Sequence, residues 1–166
     1  PLLNALCNCT ALTHISFGEY FNQPLSNSFD NLKSLTHITF GNAFNHPLLN
    51  ALVVCTALTH IIFGQSFNQP LDNALCNCKS LTSIDFSYRF NYPISNVLNI
   101  LPSLYHLGLG IDFNQKENLP FNIKSLSLSC NNMFYTEHLP DGIEEIELKM
   151  YFDLDLNDLP STIKKI

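Results

Sequence analysis

Apolar residues recur along the chain at a fixed interval instead of collecting in a few long segments. Five phenylalanines lie 23 residues apart, and an asparagine follows each of them. They are Phe21, Phe44, Phe67, Phe90 and Phe113. Self-similarity at such a period is typical of solenoids, in which each unit packs against its neighbours along the array. The pattern therefore predicts an array of about eight units.

Each unit carries a strand-like motif, Leu-x-x-Ile-x-Phe, ahead of its phenylalanine, as in Leu58-Thr59-His60-Ile61-Ile62-Phe63. Residues two apart point to the same side of an extended segment, so Ile61 and Phe63 are expected to point inward. A single strand cannot bury its apolar side alone, so the units stack and their parallel strands form a sheet. The predicted fold is α/β, a leucine-rich-repeat-like right-handed solenoid with the strands on its concave side.

The segments between the strands of the first four or five units carry apolar residues at positions i, i+4 and i+7, which predicts a short helix on the convex side of each of these units. Examples are Leu25/Phe29/Leu32, Leu48/Leu52/Cys55, Leu71/Leu75/Cys78 and Ile94/Leu98/Leu101. The units are 23 residues long in residues 1–110 and about 20 in residues 111–166. The shorter units carry Leu-Pro pairs, which predict extended or single-turn segments. We expect residues 1–166 to be one repeat solenoid, uncapped at both ends, that continues in both directions.

The asparagine after each repeated phenylalanine lies where the chain leaves the predicted strand. A side-chain amide there can satisfy backbone groups that the bend leaves without partners. The predicted structural ladder consists of Asn22, Asn45, Asn68, Asn91 and Asn114. The phenylalanines beside these residues are expected to stack inside the solenoid as a spine.

The residues that point away from the core are expected to form the concave face, which we interpret as the partner-binding surface. They are Thr13, His14, Ser16, Thr36, His37, Thr39, Thr59, His60, Ile62, Thr82, Ser83, Asp85, Tyr105 and His106. The first four units make this face rich in hydroxyl groups and poor in charge. The later units bring Glu144, Glu145 and Glu147. A partner would therefore meet two chemically different zones.

Histidines occupy one position of successive units, which predicts three imidazoles about 4.8 Å apart in a column, with Ser83 interrupting it before His106. Such a column is able to bind a metal or to titrate near neutral pH. The alternative is that a polar position was duplicated together with its unit. We favour duplication and predict no metal site and no cofactor.

Six cysteines raise the question of a disulfide framework or a zinc site. Three of them occupy an apolar position that leucine fills in other units, where cysteine acts as a small hydrophobic residue. They are Cys9, Cys55 and Cys78. Cys7 and Cys76 would lie three units apart, about 14 Å along the stack, which is beyond the reach of a disulfide. We therefore predict free thiols, no disulfide, and a reducing, cytoplasmic compartment.

The formal net charge is −6, and residues 111–166 carry ten of the fourteen acids. The single arginine and the scattered lysines do not form the basic patch that nucleic-acid binding requires. No apolar run approaches the length of about 20 residues that crosses a bilayer. No catalytic motif is present. The sequence therefore predicts no nucleic-acid partner, no membrane insertion and no enzymatic activity.

The string from Leu58 to Gly64, followed by Phe67-Asn68-Gln69-Pro70-Leu71, resembles the FNIP repeat, a relative of the leucine-rich repeat in social amoebae and giant DNA viruses. Matching strings are Phe21-Asn22-Gln23-Pro24-Leu25, Phe44-Asn45-His46-Pro47-Leu48 and Phe90-Asn91-Tyr92-Pro93-Ile94. Phe113-Asn114-Gln115-Lys116 departs by losing the proline. The pattern Cys-x-Ser/Ala-Leu-Thr-x-Ile at Cys55 and Cys78 is also similar to the bacterial-surface type of leucine-rich repeat found in protists. Both resemblances imply a binding scaffold.

Two functional hypotheses follow. The first is a scaffold that binds a protein ligand on its concave face. FNIP arrays often follow an F-box, so the resemblance also implies a substrate-recognition region of a ubiquitin-ligase receptor. The second is a structural component of a larger assembly such as a viral particle, which would make the protein virion-associated. Both hypotheses expect neighbouring repeats or subunits at the two ends.

Overall fold

The computed structural model describes residues 5–129, 139–140, 142–149 and 159–166 of the chain. These residues contain seven strands that form one sheet, in which each strand pairs in parallel with the next along the chain. The strands are β1 (His14–Ser16), β2 (His37–Thr39), β3 (His60–Ile62), β4 (Ser83–Asp85), β5 (His106–Leu109), β6 (Ser125–Leu128) and β7 (Glu145–Leu148). An isolated parallel bridge joins Glu145 to Lys165 after β7. The predicted solenoid of parallel strands is confirmed.

The register of the sheet aligns equivalent positions of successive units. His14 pairs with His37, and His37 pairs with His60. The same rule holds across the change in unit length, where Leu107 pairs with Leu126. Identical repeat positions therefore form columns along the sheet.

Two columns of phenylalanine fill the core behind the sheet. Phe67 lies 6.0 Å from both Phe44 and Phe90, measured between ring centroids, and the rings are nearly parallel. The last residue of each strand motif forms a second column, in which Phe63 stacks on Phe67 at 4.1 Å. These rings are almost fully buried. Truncating one of them to alanine typically costs about 3–5 kcal/mol, so the paired columns are a major source of stability.

The asparagine side chains connect one unit to the next. The backbone N–H of Asn45 donates to Oδ1 of Asn22 at 3.0 Å. The same bond joins each later pair of asparagines, up to Asn114 with Asn91, at 2.9 to 3.1 Å. Beyond Asn114 the length of the repeat changes, and Oδ1 of Asn114 accepts a hydrogen bond from Nε2 of Gln115 at 3.2 Å. Each amide oxygen thus accepts a hydrogen bond at a bend where the strand ladder has ended.

The segments opposite the sheet are turns, so the prediction of a short helix in each 23-residue unit is wrong for most units. The apolar residues at i, i+4 and i+7 are buried, but hydrogen bonds from residue i to i−3 close them into tight turns, as between Ser28 N–H and the Leu25 carbonyl at 2.8 Å. In three units the residue two positions after the proline has a left-handed backbone, which interrupts a helix. These residues are Ser26 (φ 40°), Leu49 (φ 48°) and Asp72 (φ 38°).

One short helix, α1 (Ser95–Leu98), forms in the fourth unit. The carboxylate of Glu117 accepts hydrogen bonds from the backbone N–H groups of Ile94 and Ser95, at 2.7 and 2.8 Å. A carboxylate at this end of a helix satisfies donors that lack intrahelical partners and interacts favourably with the helix dipole. Glu117 belongs to the irregular fifth unit, and in the first three units the residue equivalent to Ser95 has a left-handed backbone instead.

The short units turn at their Leu-Pro pairs. The carbonyls of Pro120, Pro140 and Pro160 accept hydrogen bonds from the isoleucine three residues later, at 3.1 to 3.2 Å. This agrees with the single turns predicted there. The remainder of the predicted extended segments, in residues 130–138, 141 and 150–158, lies outside the described residues.

Replacing Asn68 with alanine should lower the free energy of unfolding by about 1–3 kcal/mol, because it removes the acceptor of the Asn91 N–H. Urea denaturation followed by circular dichroism measures this change. The matched control is Asn50→Ala in an outer turn, where the side chain is exposed and a change within about 0.5 kcal/mol is expected. Equal stability of the two variants would contradict the role of the ladder.

Candidate functional site

The outward side chains of the strands form one continuous surface, which we call the exposed sheet face. The first residue of each strand contributes one row, which includes His37 and His60, and the third residue contributes another, which includes Thr39 and Ile62. The central residue, such as Ile61, points into the core. The structure places all of the predicted partner-binding residues on this face or at its border.

The threonine column at the border of the face is bonded to the backbone. The hydroxyl of Thr36 donates to the carbonyl of Thr13 at 2.9 Å. Thr59 and Thr82 repeat the bond to the preceding unit, each at 3.0 Å. These hydroxyl protons therefore support the stacking of the units.

The histidines form the predicted column. The rings of His14 and His37 stack at 4.2 Å, and those of His37 and His60 stack at 4.4 Å. Nδ1 of His37 lies 2.8 Å from Oγ1 of Thr36. Since that hydroxyl proton is already donated to a carbonyl, the oxygen can only accept, and Nδ1 must carry the proton. The neutral ring therefore presents an unprotonated Nε2.

His60 repeats this arrangement with Thr59, at 2.8 Å. Burial, and then the neighbouring His60 and His14, lower the pKa of His37 from its usual value of 6.5. His37 is thus held neutral at pH 7. The parallel rings direct their Nε2 lone pairs side by side and not toward a common point. In the part of the chain that the structure describes, no group of three histidine, cysteine or acidic side chains is arranged to hold a metal ion.

A notch interrupts the face between β4 and β5. The carboxylate of Asp85 leans over Gly108, its partner in register, and occupies the space that a Cβ would need there. Nε2 of His106 lies 3.4 Å from Oδ1 of Asp85, and its Nδ1 lies 2.9 Å from Oγ of Ser125. Gly108 was not among the predicted site residues, although a glycine inside an apolar strand motif marks a close approach of this kind.

Asp85 is ionised in the notch. Burial acts to raise its pKa, but the His106 hydrogen bond and the charges of His106, Lys149 and His60 outweigh it, and the net pKa is lowered. Nζ of Lys149 is 4.0 Å from Oδ1 of Asp85 and 3.2 Å from Oε2 of Glu147. The cavity beside the carboxylate has a volume of about 320 Å³, with Ile62 and Tyr88 among its lining residues.

The face becomes charged beyond β5. Nζ of Lys164 pairs with Glu144 at 2.7 Å, and the hydroxyl of Ser127 donates to Glu147 at 2.6 Å. Two of the three acids predicted here, Glu144 and Glu147, therefore have lysine or serine partners. The spacing of 20 residues between Glu144 and Lys164 equals one short unit, and this was the signal that would have revealed their pairing.

The cysteines of the described residues are free thiols. Burial raises the pKa of Cys55 to about 11 and that of Cys78 to about 12. Because the thiolate is the reactive form, these two side chains act as core residues. Among the described residues, no helix has the length and apolar character needed to cross a membrane.

Comparisons with known proteins agree with the fold. Residues 3–101 match the family described as the BspA-type leucine-rich repeat region (6 copies). CroV588, described as a novel circular leucine-rich-repeat protein, is 32% identical with a TM-score of 0.66, over 93% of this chain and 26% of that chain. Human 5T4, also called Wnt-activated inhibitory factor 1 or trophoblast glycoprotein, is 17% identical with a TM-score of 0.55, over 82% and 59% of the two chains.

The identity with human 5T4 is low enough that the likeness shows the fold alone. The present chain spans about a quarter of CroV588 and somewhat more than half of 5T4. No curated protein sequence matches the chain significantly.

Replacing Thr59 with valine should change the tautomer of His60, because it removes the acceptor of the Nδ1 proton. Long-range ¹H–¹⁵N NMR correlations at pH 8 distinguish the two tautomers. We expect the Nδ1–H form in the natural chain and a shift toward Nε2–H in the variant, with His37 unchanged. An Nε2–H form at His60 in the natural chain would contradict the assignment.

Replacing Gly108 with alanine should displace the Asp85 carboxylate, since the added Cβ would collide with Oδ1. Overpacking of this kind typically costs about 1–3 kcal/mol. The double variant Gly108→Ala, Asp85→Ala should recover most of the loss. Thermal or urea unfolding measures both effects, and failure of the second substitution to restore stability would show that the strain lies elsewhere.

Proposed function

This chain belongs to the BspA-type leucine-rich repeat family, and we propose that it is a binding scaffold, not an enzyme, with a protein ligand on its exposed sheet face. The observation that carries this proposal is the face itself. Outward side chains from seven parallel strands lie in columns on one continuous sheet. Repeat proteins commonly bind partners on such extended surfaces.

Exposed apolar groups on the face support the proposal. Ile62 is 44% exposed, although Ser16, Thr39 and Asp85 in the same row are polar, and it lines the same cavity as Tyr88. Tyr105, which immediately precedes β5, is 43% exposed. Tyrosine is enriched where proteins bind one another, because its ring is apolar and its hydroxyl forms hydrogen bonds. On the opposite side, exposed apolar residues such as Leu49 are scattered singly, which is ordinary for a protein surface.

We further propose that the repeats are of the FNIP type and that the face is the substrate-recognition region of an F-box receptor. The Phe-Asn-Gln-Pro-Leu strings support the repeat type. A reading frame with an F-box before the repeats, together with co-purification of ubiquitin-ligase subunits, would support the receptor. A cytoplasmic location in a reducing compartment belongs to this proposal and is consistent with the free thiols.

The second candidate is a structural component of a larger assembly such as a viral particle. The observation that favours it is the 32% identity with CroV588, a protein described as circular. In this role the ends and outer turns would make the contacts. Recovery of the protein in purified particles, with no soluble pool, would favour this candidate over the first.

Affinity capture with mass spectrometry should compare the natural chain with the face variant His37→Lys, His60→Lys, Ile62→Lys. Captured proteins should be lost, because three ammonium groups would be desolvated at the interface. The control is Asn27→Lys, Asn50→Lys, Asn73→Lys, which adds the same number of lysines to exposed positions of the outer turns. Both variants must keep the natural circular dichroism spectrum. Loss of captured proteins with the control alone would contradict binding on the face.

A further inference from the structure

The fixed hydrogen-bond donors on the exposed sheet face of β1 to β4 are already used within the chain. The hydroxyls of Thr36 and Thr59 donate to carbonyls of the preceding units. The Nδ1 protons of His37 and His60 in turn go to these threonine oxygens. The same groups cannot donate to a partner without breaking these bonds.

Acceptors, in contrast, remain available. Among the described residues, no hydrogen bond involves Nε2 of His37 or His60, and the two rings present these atoms side by side. The hydroxyls of Ser16, Thr39 and Ser83 rotate and can serve either role. The polar groups that are fixed in place on this part of the face therefore accept hydrogen bonds.

Charge reinforces the same preference. Asp85 is the only residue of the four strands that is charged when the histidines are neutral. Its side chain is 26% exposed. Nε2 of His106 lies 3.4 Å from its Oδ1, and Nζ of Lys149, at 4.0 Å, has a closer partner in Glu147. An incoming cation can thus pair with Asp85 while Lys149 keeps its ion pair with Glu147.

The cavity beside Asp85 favours arginine over lysine. Its volume is about 320 Å³, and Ile62 and Tyr88 contribute apolar and aromatic surface next to the carboxylate, while Lys149, which pairs with Glu147, also lines it. A guanidinium group donates two parallel hydrogen bonds to a carboxylate and stacks on aromatic rings, whereas an ammonium group does neither as well. The methylene groups of arginine would cover Ile62.

We propose that the exposed sheet face of β1 to β4 binds an arginine-containing peptide segment. One guanidinium of the peptide pairs with Asp85, and other N–H groups of the peptide donate hydrogen bonds to the Nε2 atoms of His37 and His60. This inference rests on the proposed function and names the chemistry of the partner. A phosphate-rich partner does not fit the same surface, because phosphate needs fixed donors or cations.

The arrangement makes binding depend on pH. Protonation of a histidine turns its Nε2 from an acceptor into a donor and places a positive charge beside the guanidinium. The groups that face His37 are His14 and His60 on the adjacent strands, and Asp85, His106 and Lys149 lie further along the face. Burial and the neighbouring His60 and His14 lower the pKa of His37 from its usual value, which keeps the ring neutral at pH 7. Affinity for the peptide is therefore present at neutral pH and is lost as acidification protonates the imidazoles.

The test uses a fluorescein-labelled, amidated peptide with three arginines separated by glycine and serine, and an identical peptide with citrulline in place of arginine. Fluorescence anisotropy at pH 7.5 should show at least roughly tenfold weaker binding of the citrulline peptide. Asp85→Asn should weaken binding of the arginine peptide by a similar factor and leave binding of the citrulline peptide unchanged. Asp72→Asn removes the same charge in an outer turn and should have no effect.

Equal affinity for the two peptides would overturn the proposal. So would equal losses for Asp85→Asn and Asp72→Asn, because the net charge of −6 would then account for the attraction. Lowering the pH to 5.5 should weaken binding of the arginine peptide. In the variant His37→Gln, His60→Gln, the affinity for this peptide should depend less on pH. An unchanged pH profile in that variant would contradict the role of the two imidazoles.

The peptide experiment and the affinity capture can fail separately. If the face variant loses its captured proteins but the arginine peptide does not bind, the arginine site is wrong and binding on the face still holds. If binding of the peptide depends on Asp85 but the face variant captures the same proteins as the natural chain, the arginine site holds and the proposed function fails.

Discussion

The structure depends on hydrogen bonds between the same position of successive units. Because the register aligns a residue with the one 23 positions later, a polar side chain duplicated with its unit meets its own copy. The asparagine and threonine columns both use this geometry. The asparagines lie at the bend after each strand, and the threonines lie immediately before each strand. Strands of three or four residues would form few bonds by themselves, and these side-chain bonds extend the connection between units beyond the sheet. The buried phenylalanine columns supply the apolar part of the same stacking.

The character of the exposed sheet face is a consequence of that stacking. A threonine that donates its proton to the previous unit leaves an oxygen that can only accept, and this orients the adjacent imidazole. The face of the first four units is therefore rich in hydrogen-bond acceptors, and apart from Asp85 its strand residues are uncharged. Beyond β5 the columns hold paired acids and lysines. Gly108 lies at the boundary, and its missing side chain creates the notch that Asp85 occupies.

Much of this fold could be predicted from the sequence because the repeat places each residue in a column. The strands, their order and the inward phenylalanines follow from the period and from the alternation of Ile61, Ile62 and Phe63. The helices on the opposite side were predicted wrongly, since buried residues at i, i+4 and i+7 also fit successive turns, and the left-handed backbone of Leu49 is not visible in the pattern. The notch was missed because it depends on how the Asp85 side chain leans across strands and on Lys149 reaching back from beyond β7.

The most direct test of the central claim is chemical footprinting of the histidines with diethyl pyrocarbonate, which acylates accessible, unprotonated imidazole nitrogens. The natural chain would be labelled with and without a captured partner protein, and each histidine would be followed by mass spectrometry. We expect the partner to slow the labelling of His37 and His60 while His46, in the bend after β2, reacts at its original rate. Protection of His46 with unchanged labelling of His37 and His60 would contradict a binding site on the exposed sheet face.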